Sequence, residues 1–119
     1  MPVSLINDFK PEELNITRRR GDTFPIQIDL GRDITGGSLL LTIDPSPRPE
    51  DDTTNVAQLV GTAIDEAQGT VEFEISENQA DLSPRRYFYD IELTEAGGSI
   101  RTLVTGEYMV TQDITKGTN

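Results

Sequence analysis

Cysteine, histidine and tryptophan are all absent from this chain of 119 residues. Without cysteine there is no disulfide, thiol nucleophile, thiolate zinc site or iron–sulfur cluster. Without histidine there is no Ser–His–Asp triad and no imidazole metal ligand. Nor is there a side chain whose ordinary pKa lies near 7. Aromatics make up only 6% of the residues, and 10 bases face 21 acids, for a net charge of −11. No apolar run approaches the ~20 residues of a membrane-spanning helix. The opening MPVSLINDFKPEEL lacks both a basic n-region and a long apolar h-region, so no secretory signal is expected. Carboxylates, Lys, Tyr, Ser and Thr are what remain for catalysis.

The length suits one domain, which would bury about two-thirds of its unfolded surface without staples. The low apolar fraction, 34%, suits a thin sandwich or a protomer that completes its burial against a neighbour. Charge is unevenly placed. Residues 1–49 hold 7 acids and 6 bases, net −1; residues 50–119 hold 14 acids and 4 bases, net −10. This acidity opposes nucleic acid and anionic membranes, and neither is expected as a partner.

Period-two alternation is the main structural signal. Phe24, Ile26, Ile28 and Leu30 alternate with polar or small residues. With mostly polar residues between them, Leu40 and Phe88 excepted, so do Leu39, Leu41 and Ile43, then Val71, Phe73 and Ile75, then Tyr87, Tyr89, Ile91 and Leu93. Each set marks a strand with one apolar face, as in antiparallel sheets with one wet side. Weaker strand patterns cover 13–19, 56–64, 100–104 and 108–114. Glycines punctuate the strands, and Ala96-Gly97-Gly98-Ser99 reads as a hairpin turn. Gly106 reads as a bulge or bend in the last ribbon, and Pro25 as an edge position or the start of pairing. Ser76-Glu77-Asn78-Gln79 has the form of a capping box and predicts a short helix over 77–82, stopped by Pro84.

Seven or eight such strands predict an all-β, immunoglobulin-like antiparallel β-sandwich with one short helix and an N-terminal arm. The expected division is an arm over 1–12, the sandwich over 13–115 and a tail over 116–119. After the helix, Tyr87 or Tyr89 is placed to form a tyrosine corner, or both are ordinary inward-facing aromatics. The Pro-rich loop 44–55 is expected to favour extended, polyproline-like backbone.

Candidate sites are few. Asp44, Glu50, Asp51 and Asp52 offer oxygen ligands but lack the EF-hand spacing, and a solvated acidic loop is the preferred reading. Asp90 with Glu92, and Glu72 with Glu74, are carboxylate pairs on strand faces read as wet. Such exposure gives no desolvation to raise a pKa. Arg18, Arg19 and Arg20 form the one dense basic run. It reads equally as an intersubunit patch and as an edge strand whose charges discourage aggregation. The tripeptide Arg20-Gly21-Asp22 reads as the turn between the first two strands, and no adhesion role is drawn from it. Val3, Leu5 and Phe9 in the arm, with Phe88, are the remaining interface candidates. Neither an enzyme activity nor a cofactor or metal is expected.

Several stretches together resemble a known family. These are Arg19-Arg20-Gly21-Asp22-Thr23-Phe24, Asp33-Ile34-Thr35-Gly36, Leu82-Ser83-Pro84, Tyr87-Phe88-Tyr89-Asp90-Ile91, Thr102-Leu103-Val104-Thr105-Gly106 and Asp113-Ile114-Thr115. In order and spacing they are similar to small structural domains of tailed bacteriophages, such as the N-terminal domain of baseplate upper proteins. The resemblance spans about residues 16–115. It implies an immunoglobulin-like sandwich in the virion, made in the host cytoplasm, that attaches tail fibres or receptor-binding proteins. It also implies many symmetric copies with other virion proteins as partners, and brings no catalytic residues. Baseplate upper proteins continue into a longer fibre-binding region, whereas this sequence stops just after the sandwich. Capsid decoration and a carbohydrate- or receptor-binding module are the alternatives. Against the latter, most of the seven aromatics alternate inward, with Phe9 and Phe88 the exceptions.

Overall fold

The computed structural model describes residues 11–50 and 52–114. Eight strands follow one another: β1 (Glu12–Glu13), β2 (Ile16–Arg19), β3 (Ile26–Asp29), β4 (Ser38–Asp44), β5 (Ala57–Asp65), β6 (Thr70–Phe73), β7 (Arg85–Thr94) and β8 (Ile100–Thr111). A 3₁₀ turn (Asp52–Thr54) precedes β5, and helix α1 (Glu77–Ala80) lies between β6 and β7. The hydrogen-bonded order is β1-β8-β7-β4-β5-β6-β3, with β2 also on β8. The path folds over at β5. Residues 57–60 pair with β4, whereas residues 61–65 pair with β6. One strand therefore serves two layers, and the chain is an all-β, immunoglobulin-like sandwich. All pairings are antiparallel except those of β1 and β2, which run parallel to β8.

Alternation builds the core between the layers. Leu41, Ile43, Leu59, Val71, Phe73, Ile91 and Leu93 are essentially inaccessible to water. Burying one such side chain contributes about 1.5–3 kcal/mol, so these positions dominate the stability of the fold. Gly61 sits where β5 changes layers. A side chain there would press on the Phe73 ring and Leu39, so the crossing is made at a residue without one.

The capping box forms in full. The Ser76 hydroxyl accepts from the Gln79 amide, and the Gln79 side chain accepts from the Ser76 amide. The helix ends at Ala80, two residues sooner than expected. The tyrosine corner also forms: the Tyr87 hydroxyl donates to the Ser83 carbonyl at 2.8 Å. Pro25 directly precedes β3, which is the last strand of the path.

Elsewhere the structure departs from the sequence pattern. The patterns at 100–104 and 108–114 belong to one strand, β8, whose register shifts opposite Ile91 and Glu92. The shift lets the neighbours Leu103 and Val104 both face the core, which breaks the alternation. Gly106 is not at that bulge. A side chain on it would collide with the Leu14 carbonyl oxygen, so its bareness lets the first strands lie against β8. Phe24 is not inward-facing but 62% exposed, because Pro25 interrupts the alternation before β3 begins. The loop after β4 is bent rather than polyproline-like. Asp44 Oδ1 accepts from the Ser46 amide and Ser46 Oγ from the Arg48 amide, and such two-residue bonds turn the chain.

Candidate functional site

The outward face of the β5-β4-β7-β8 layer carries most of the chain's unusual chemistry. Strand pairing arranges it in rows. Phe88 of β7 stands between Asp44 of β4 and Glu107 of β8. One row on, Asp90 stands between Thr42 and Thr105. The loop after β4 and the first strands rise on either side. They leave a groove of ≈ 480 Å³ walled by Pro47, Pro49, Glu13 and Asn15 and floored by Phe88 and Asp90. That volume falls within the range of small-ligand sites.

Asp44 is the pin of the loop. The residue is only 4% exposed. Its Oδ1 accepts from the Ser46 amide at 2.8 Å. Its Oδ2 accepts from Thr54 Oγ1 at 2.7 Å and Asn55 Nδ2 at 2.8 Å. Burial alone would raise its pKa, but the three hydrogen bonds to the charged form outweigh that and hold it below the ordinary value. Asp44 is therefore committed to the loop and not offered to a cation. Glu50 is exposed, and Asp51 lies outside the described residues. No three acidic groups among the described residues converge to hold a metal ion.

Asp90 departs from the sequence reading. Its strand face was expected to be wet, yet the residue is half-buried. Burial first, and then the nearby Glu92 carboxylate, push its pKa up. Thr42 and Thr105 flank it on the neighbouring strands, a placement that the spacing within β7 does not reveal. Glu92, Glu72 and Glu74 do not join it in a shared site; Glu72 instead accepts from Gln27 Nε2 across β3 and β6.

Of the predicted interface residues, Val3, Leu5 and Phe9 lie outside the described residues. The arginine run is dispersed. Arg18 is not a surface group: it is 7% exposed and points under the β2–β3 turn. Its guanidinium donates to the carbonyls of Asp22 and Phe24 and lies 4.0 Å from the Phe24 ring centre. The alternation of β2 turns Arg18 inward, and Phe24 closes over it. Its Nε has no hydrogen-bond partner among the described residues. Beside it, burial raises the Tyr108 pKa while the Arg18 charge pulls it back. Arg19 is exposed, and Arg20 pairs with Asp81 at 2.7 Å near the surface. Arg20-Gly21-Asp22 thus forms a structural turn. Its glycine lies at φ +87° and donates to the Ala80 carbonyl. Phe88 is half-buried on the outward face, as the alternation predicts, and joins the groove.

Beneath the groove, the Tyr89 hydroxyl donates to the Leu14 carbonyl at 2.6 Å, and burial pushes its pKa up to about 12. Tyr89 also meets Tyr108 edge-on, with ring centres 6.5 Å apart. These contacts fix the first strands against β8 and so set the wall formed by Glu13 and Asn15. The Asn15 side chain accepts from the Glu107 amide, a bond that a glycan on Asn15 would disturb.

No family model and no curated protein matches the chain. Among solved structures, CopC from Methylosinus trichosporium OB3b is similar at 12% identity and a TM-score of 0.49, covering 82% of this chain and 84% of that one. An uncharacterized protein from Bacillus anthracis str. Ames is similar at 13% identity and a TM-score of 0.44, covering 87% and 85%.

Proposed function

We propose that the protein is a non-enzymatic structural adaptor of a tailed-phage virion, attaching tail fibres or receptor-binding proteins. The observation that carries this reading is apolar surface outside the core. Val60 is 71% exposed and Ile100 63%, with Phe24 and Ile64 also open to water. In this reading, neighbouring subunits cover these apolar groups. The sequence resemblance supplies the phage setting. The arm residues Val3, Leu5 and Phe9 serve in this reading as further contacts in a symmetric assembly.

Mass spectrometry of purified particles, with immunogold labelling of the same particles, tests it. The protein is expected in the virion, with label at the tail end. Its presence in infected cells but absence from virions would refute the reading. Label over the capsid would replace the adaptor with a decoration protein.

A further inference from the structure

We infer that the groove over Phe88 and Asp90 receives an arginine side chain presented by an extended segment of a partner protein. This goes beyond the adaptor reading and is tested without particles. Asp90 is a half-buried carboxylate on the groove floor, and its side chain has no hydrogen bond or ion pair to another described residue. A carboxylate taken partly out of water gains from a partner of opposite charge or from hydrogen bonds. Its flanking groups, Thr42 and Thr105, are neutral, and the nearest charge on its own strand, Glu92, repels it.

The surroundings narrow the cation. A metal ion is disfavoured because no three acidic groups converge among the described residues. Phe88 stands two residues before Asp90 on the same strand face, their Cα atoms roughly 7 Å apart at the rise of a β-strand. Pro47 and Pro49 add apolar wall. An ammonium ion is a compact, strongly hydrated point charge with no flat face to lay on such a wall. A guanidinium presents flat faces to an aromatic ring while its edge meets a carboxylate with two parallel hydrogen bonds. Glu13 on the rim provides complementary charge for the approach, while Glu107 beside it is paired with Arg86 at 3.5 Å. The groove is open along the sheet surface, so the arginine can arrive on a continuous chain.

The test uses the full chain and three probes: acetyl-Gly-Arg-Gly-amide, its lysine counterpart and its citrulline counterpart. Binding is followed by amide chemical shifts in two-dimensional NMR. The arginine peptide is expected to give saturable shifts centred on Thr42, Phe88, Asp90 and Thr105. The lysine peptide should bind at least fivefold more weakly and the citrulline peptide not at all. Asp90→Asn and Phe88→Ala should each weaken the arginine peptide at least fivefold, while Asp33→Asn, at the other end of the sandwich, should not. Asp90→Asn removes a charge that burial disfavours, so its spectrum should remain that of the folded parent. Shifts that map elsewhere, equal binding of citrulline or lysine, or full binding by both groove variants would overturn the assignment.

Discussion

Asp44 and Arg18 are two charged residues almost fully withdrawn from water, and they differ in how completely they are satisfied. Asp44 has a hydrogen bond at each of its oxygens from groups of one loop. Arg18 has two carbonyls, the Tyr108 side chain and a ring, with Nε left over. The Asp44 bonds favour its charged form, so its folded pKa lies below the unfolded value of about 3.9. Its contribution to stability is therefore complete above that value and is lost as pH falls through the folded pKa. Asp44→Ala should cost about 2 kcal/mol at pH 7, a figure typical of hydrogen bonds to a charged group. Denaturant midpoints of parent and variant, compared from pH 7 down to pH 2, should converge at the acid end. A difference that stays constant with pH would show that the charge is not what holds the loop.

At the scale of elements, the pairing of the first strands with β8 depends on one bare position. Gly106→Ala would drive a methyl group into the Leu14 carbonyl oxygen. It would also disturb the Tyr89 bond to that same oxygen. The loss should exceed about 3 kcal/mol, the range reached when backbone must move. In amide exchange, Arg18 and Val110, paired across β2 and β8, should lose protection before Leu41 does.

Sequence pattern and element agree best where the controlling contacts are local. The Ser76–Gln79 cap and the Tyr87 corner each join residues three or four positions apart, and both are legible from spacing. β8 looks like two strands because the bulge at Leu103 places consecutive residues on one face. Phe24 looks buried because alternation runs on through Pro25, where pairing has not yet begun. The candidate groove is the least legible part. Phe88 stands out as an outward aromatic, but the residues flanking Asp90, Thr42 and Thr105, are 48 and 15 positions away in the numbering. No periodicity within β7 reports what its neighbours do.

For the molecule as a whole, the excess of acid is a source of self-repulsion. Net charge far from zero destabilises a compact state, and salt screens exposed charges beyond about 10 Å at 0.1 M. The thermal midpoint should therefore rise between 10 mM and 200 mM sodium chloride, by roughly a few degrees for a domain of this size. A midpoint that fell with salt would mean that surface ion pairs, such as Arg20–Asp81 and Arg32–Glu95, outweigh the repulsion.

The parallel pairing of β1 and β2 with β8 has a mechanical consequence. Described chain enters beside Val104 and leaves beyond Thr111, at opposite ends of the same seam. A pull on the two ends therefore slides β8 along its neighbours, loading the row of backbone hydrogen bonds together. An antiparallel terminal pair, pulled from one end, would unzip one bond at a time. The domain is thus built to resist tension along its own chain, a useful property in any link that bears load.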